Sequence, residues 1–268
     1  AATAGIGWRH AASALVGPAA GILPATLFAG LSPLIRAEFR FSVVWIGLGV
    51  SIFFLTSSLI SPLAGRLSES VGSQRGLWIG MGISITSLLG IGLVSDGLVA
   101  VCLFLSFAGF GNATIQTAAN IALARGVRQD RRGLAFGLKQ AAVPVATAIG
   151  GFSVPAIGLT IGWRAAFVGS AIVALVAMLL PAPTTAPERG GDGRPPRLWP
   201  VPRSLWLLTI GIALGAGAAN AMTSYLVESS IRGGWSVAQA GTFLGLGSIL
   251  GIIARIITGA ASDHISGS

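Results

Sequence analysis

Charge is what this chain has least of. Only 9% of its 268 residues are Asp, Glu, Lys or Arg, against about 25% in a soluble domain. Hydrophobic residues make up 53%. Folded in water, such a chain has too little polar surface to cover its apolar remainder. Hydrocarbon as solvent removes that difficulty, and there only helices or closed barrels satisfy the backbone. Barrel strands alternate apolar and polar side chains over about ten positions. The apolar runs here do not alternate, and they are about 20 residues long, the length of a membrane-spanning helix. The expected fold class is an all-α polytopic membrane protein.

Other scarcities exclude chemistries. One cysteine, Cys102, rules out a disulfide framework within the chain. It lies in an apolar run and reads as a packed or lipid-facing thiol. The two histidines, His10 and His264, fall at helix ends, and no Asp or Glu lies deep in an apolar run. A Ser–His or paired-carboxylate intramembrane enzyme therefore has no constellation to work with, and proton coupling has no visible acidic carrier. Phosphate cradles, zinc spacings and nucleophile elbows are missing. The sequence predicts a non-enzyme without cofactor or metal.

Eight apolar runs are present, near 11–35, 43–64, 77–95, 98–124, 133–158, 163–182, 204–227 and 236–258. Ser42 and Ser236 stand where N-caps of the second and eighth would be. Glycine is abundant, at 39 residues. In membranes small residues let helix backbones approach closely, as at Gly211 and Gly215, or Gly241, Gly245, Gly247 and Gly251. The longest polar stretch, PAPTTAPERGGDGRPPRLWPVPR over residues 181 to 203, reads as a flexible linker. It divides the chain into a six-helix half over 1–181, a cytoplasmic linker over 182–203 and two further helices over 204–268. The chain stops in a polar stretch after the eighth run and reads as a fragment. No cleavable signal peptide is evident, because the run after Arg9 and His10 is too long for one.

Positive charge sets orientation. Loops sharing a side with the N-terminus hold Arg9, Arg66, Arg75, Arg125, Arg128, Arg131, Arg132, Arg189, Arg194, Arg197 and Arg203. The opposite loops hold Arg36, Arg40, Arg164 and Arg232. Positive charge marks the cytoplasmic side, so the N-terminus is expected inside. The net charge of +9 then reflects topology. It is no nucleic-acid footprint, since no aromatic is interleaved with the basic 125–132 stretch to stack a base.

One hydrophilic segment, GRLSESVGSQRG over residues 65 to 76, falls between the second and third runs and is expected to be a cytoplasmic loop. Gly65 would let helix 2 end close to a neighbour. Glu69 is expected as a buried-edge carboxylate, accepting from helix N-terminal amides or an arginine. Gly72 supplies a tight turn, and Arg75 holds the loop inside. Here the sequence resembles the major facilitator superfamily of secondary transporters, whose loop pattern is Gly-x-Leu-Ala-Asp-Arg-x-Gly-Arg-Lys. Gly65, Leu67, Ser68, Glu69 and Gly72 follow it. Ser70, Ser73 and Gln74 depart from it, and Arg75 falls one place late. GAASDH (259–264) is similar to the same loop in a second half, with Gly259, Ser262 and Asp263 matching. GWRAAF (162–167) resembles the start of helix 6 in many members, and Arg255 their helix 8 arginine. The resemblance implies twelve helices, of which this chain carries eight.

It also implies a substrate site near the bilayer midplane, with access alternating as one half rocks on the other. Polar residues deep in helices are then the substrate-binding candidates. Lys139 and Gln140 stand in helix 5, where a mid-bilayer charge costs at least about 2.5–3.5 kcal/mol; snorkelling to the headgroups is the competing reading of Lys139. Asn112, Gln116 and Asn120 share one face of helix 4 and could equally bond between helices. Asn220 and Tyr225 lie in helix 7, the tyrosine near an interfacial belt. The gating set is Gly65, Leu67, Glu69, Gly72, Arg75, Arg255, Gly259 and Asp263, read as locks on loops and helix ends. Pro144 is expected to kink helix 5. Val143 stands where the drug-antiporter pattern has glycine, and helix 4 lacks the arginine of proton-coupled drug exporters.

The function expected is a secondary transporter of a small organic solute, anionic if Lys139 pairs with it, working by alternating access as a monomer in the inner membrane. Its partners would be the solute, the bilayer and any coupling ion. A multidrug exporter and a non-transporting sensor on the same fold are the alternatives.

Overall fold

The computed structural model describes residues 8–127, 131–179 and 202–266. Its regular structure is helical: α1 (Trp8–Phe39), α2 (Val44–Val71), α3 (Ser73–Leu89), α4 (Leu98–Gly126), α5 (Arg132–Ser153), α6 (Trp163–Leu179), α7 (Arg203–Arg232) and α8 (Val237–Ser266). Wider π-type turns close α3 at Gly90–Val94 and α5 at Val154–Gly158. No strand occurs among the described residues. Seven of the helices are long and apolar enough to cross a membrane; α6, with 17 described residues, is shorter. Nearly all of the expected linker, together with Arg128, Arg189, Arg194 and Arg197, lies outside the described residues.

Two expectations about loops are corrected. Residues 65–76 are not a loop: α2 continues to Val71, and only Gly72 interrupts the helix before Ser73 opens α3. Gly72 sits at φ 90°, ψ 150°, open to glycine and strained for other residues. Gly65 therefore ends nothing, and a Cβ there would meet nothing within 4 Å. Likewise 259–264 is the last stretch of α8 rather than a loop. The physical reason is common to both. A drop in hydropathy marks where a helix leaves the apolar slab, not where its backbone ladder stops. Ser42 is no cap either, since α2 starts without a side-chain cap. Ser236 is one: its Oγ accepts from the Gln239 amide at 3.2 Å while Gln239 Oε1 accepts from the Ser236 amide at 3.0 Å, a reciprocal capping box.

α1 is the hub. Of its most apolar window 83% is buried, against 22% for α2. Leu27, Phe28, Leu31 and Ile35 of α1 pack with Phe53, Leu88, Leu105 and Phe167, because α1 runs between α3, α4, α5 and α6. α5 lies between α1 and α8. α7 packs through its C-terminal part, where Ser224, Val227 and Glu228 are buried.

The end of the six-helix bundle away from Gly72 is stapled by the WRAAF segment. Glu38 accepts from Arg164 Nη1 at 2.6 Å and from Trp163 Nε1 at 2.7 Å. Arg164 also donates to the Ser95 carbonyl at 3.1 Å and lies 4.3 Å above the Trp163 ring. One guanidinium thus joins the end of α1, the α3–α4 turn and the start of α6. Sequence singled out the segment but not its partner Glu38, which is 126 residues away.

Candidate functional site: the α5–α8 seam and its flanks

α5 and α8 approach along their whole length because glycines face one another. A Cβ on Gly151 would meet the Gly245 amide nitrogen at 2.6 Å and the Gly241 carbonyl oxygen at 2.7 Å. At the other end, one on Gly259 would meet Gly133 O at 2.7 Å and Gly137 Cα at 2.8 Å. Carbon contacts ordinarily stand at about 3.5–4.0 Å, so backbone rests on backbone here. On its other side α5 meets α1 in the same way, with Gly30 against the Gly150 carbonyl at 2.8 Å.

The Gly259 end of the seam carries charge. Asp263 accepts from the amides of Gly133 at 2.6 Å and Leu134 at 2.8 Å. These belong to the first turn of α5, whose amides have no intrahelical acceptor and whose dipole favours an anion. A carboxylate of α8 therefore caps α5. Glu69 stands at the corresponding place of α2, as the fifth residue of a run beginning with glycine. It is exposed and has no partner among the described residues. The expected buried-edge carboxylate is thus found at Asp263, while Glu69 projects from the last turns of α2. Leu67 is half-buried and Arg75 exposed. Halfway along the seam, Arg255 donates to the Gln140 carbonyl.

At the opposite end, Arg36 of α1 pairs with Glu228 of α7 at 2.6 Å and donates to the Phe41 carbonyl at 3.2 Å. Arg232 flanks Glu228 at 3.6 Å. Tyr225 presses its hydroxyl against Gly47 of α2, where any Cβ would collide with it. Sequence reasoning missed Glu228 and its pairing with Arg36. The available signal was a lone acid ending α7, but its partner lies 192 positions away.

The remaining candidates are scattered. Lys139 is buried, 7% exposed, and no carboxylate or acceptor is paired with its ammonium among the described residues. It stands seven and eleven residues before Ala146 and Gly150, hence on the α5 face that meets α1, where Thr26 Oγ1 donates to the Ala146 carbonyl at 3.1 Å. Gln140 points outward and is exposed. In α4, Asn112 is buried and donates to Ser57 of α2 at 2.9 Å. Gln116 reaches Asn112 only at 3.5 Å, and Asn120 is exposed. The shared face is real, but only Asn112 is engaged across helices. Asn220 bonds its own helix, at the Ala216 carbonyl.

The described helices form an apolar bundle with a glycine-lined α5–α8 seam, the architecture of a polytopic membrane protein. Residues 14–267 match the Major Facilitator Superfamily, and the chain belongs to that family. It is an integral membrane protein. It is 24% identical over 207 residues to an uncharacterized MFS-type transporter of Mycobacterium tuberculosis, covering 75% of this chain and 46% of that protein. It is 24% identical over 241 residues to an uncharacterized transporter of Bacillus subtilis, covering 86% of this chain and 58% of that protein. The chain spans about half the length of these relatives.

Proposed function

We propose that this chain is part of a secondary transporter that carries a small organic anion by alternating access, with α5 and α8 as the seam on which its two halves move. The observation that supports an anion is Lys139, a basic residue buried on α5 with no counter-ion among the described residues. A charge held in apolar surroundings is costly unless paired, and a solute carboxylate would supply the missing partner. The two relatives, described as transporters, support transport rather than catalysis. They say nothing of the solute.

The test is uptake of a panel of labelled mono- and dicarboxylates by the full-length protein in proteoliposomes. Lys139→Gln is expected to weaken binding of the transported anion by roughly 10- to 150-fold, the equivalent of about 1.5–3 kcal/mol for a charge-assisted contact. Lys139→Arg should also bind poorly, because a planar guanidinium does not replace a compact ammonium. Wild-type affinity in both variants would leave the residue as a snorkelling anchor and remove the anion from the proposal.

The proposed orientation places the N-terminus and the 182–203 segment in the cytoplasm of a cell with an inner membrane. It rests on the arginine bias. With Cys102→Ser as background, a cysteine placed by Gly191→Cys should resist a membrane-impermeant thiol reagent in intact cells and react after permeabilisation. Reaction in intact cells reverses the topology.

A further inference from the structure

Each proline inside a helix removes one backbone donor, and its ring also crowds the carbonyl four residues earlier. In a membrane such a freed carbonyl needs another partner. Of the prolines inside α1, α2 and α5, Pro33 and Pro144 have a side-chain donor on the carbonyl they release, and the two helices supply it differently. At Pro33 the released acceptor is the Ala29 carbonyl, and the hydroxyl of Ser32, the residue just before the proline, donates to it at 2.8 Å. At Pro144 the released acceptor is the Gln140 carbonyl. The preceding residue is Val143, which has no donor. Thr147, the nearest hydroxyl on α5, is spent on the Val143 carbonyl at 3.0 Å. The donor comes instead from another helix: Arg255 of α8 binds the Gln140 carbonyl through Nη1. Gly251, one turn before Arg255, lets α8 lie on the Pro144 ring, with its Cβ position 3.4 Å away.

We propose that Arg255 is a positioning residue that completes the α5 hydrogen-bond ladder across the α5–α8 seam, so that the break at Pro144 is closed only while α8 keeps this register. The bond is made to a backbone acceptor by a side chain of the other unit. Sliding α8 along α5 must either carry the bond with it or leave the Gln140 carbonyl bare. This role goes beyond the proposed anion transport and does not depend on the solute.

The distinguishing feature is that any donor should serve, whatever its charge. Hydrogen–deuterium exchange of residues 140–147 is therefore compared in the full-length protein in detergent for Arg255→Met in three backgrounds: wild type, Val143→Thr and Pro144→Ala. Val143→Thr is nearly isosteric and places a hydroxyl where Ser32 has one. Pro144→Ala restores the missing amide. In the wild-type background Arg255→Met should speed exchange by about tenfold, the loss of one hydrogen bond. In the other two the effect should shrink to about threefold or less. An equal acceleration in the Val143→Thr background would show that Arg255 acts through its charge or its packing and would overturn the proposal, as would no acceleration in the wild type. Val143→Thr keeps the test decisive even if the Pro144→Ala protein fails to fold. Because exchange is read without solute, failure here leaves the anion-transport reading standing, and failure of that reading leaves this one.

Discussion

Gly151→Leu is expected to abolish transport by the full-length protein and to lower its thermal midpoint in detergent. Its Cβ alone would stand 2.6 Å from the Gly245 nitrogen and 2.7 Å from the Gly241 oxygen, about 1 Å inside ordinary contact. Both obstacles are backbone, so no rotamer change relieves them, and α8 must separate from α5. Overpacking costs about 1–3 kcal/mol where side chains can yield, and the cost here should reach or exceed the top of that range. Gly247→Leu is the control. Gly247 lies on α8, the facing helix, with nothing within 4 Å of its Cβ position and should tolerate the change. Equal behaviour of the two variants in a detergent melting assay would show that α5 and α8 do not rest on each other through Gly151.

Asp263→Ala should be far more damaging than Glu69→Ala, since Glu69 is exposed with no partner among the described residues. Asp263→Ala removes both acceptors from the first turn of α5 and leaves two amides without partners at a positive helix end. Bonds to a charged group are worth about 1.5–3 kcal/mol each. Asp263 is half-exposed, so solvent replaces part of this and the net loss should be about 2 kcal/mol. Asp263→Asn retains one acceptor and loses the charge, and should fall between wild type and alanine. Thermal melts of the three proteins check the order. An asparagine variant as damaged as alanine would mean that charge, not acceptor geometry, holds α5 in place.

The two predictions concern residues that the sequence marks unequally. Asp263 was readable, because GAASD repeats the spacing of GRLSE. Which acid would find a helix N-terminus was not. Asp263 meets α5, while Glu69, its counterpart, is exposed with no such end among the described residues. Gly151 was one of 39 glycines, and composition cannot separate it from Gly247. Contact with another helix 90 positions later separates them. Lys139 was readable as a charge in an apolar run, facing a cavity or snorkelling to the headgroups, and only the structure shows it buried. Its place on the α1 face rather than the α8 face followed from helical phase combined with packing.

By itself the sequence determined the solvent, the element type and nearly every helix. Scarce charge and apolar runs of about 20 residues leave the backbone no other way to satisfy its polar groups in hydrocarbon. It misjudged where α2 and α8 end, because hydropathy reports the edge of the apolar slab and helicity does not stop there. Only the tertiary structure decided the pairings: Arg36 with Glu228, Arg164 with Glu38, Asp263 with the start of α5, and Arg255 with the carbonyl that Pro144 releases. Each joins groups more than a hundred residues apart. A local pattern carries the need for a partner, as an unpaired charge or a freed carbonyl, but helix packing alone brings a particular partner within reach.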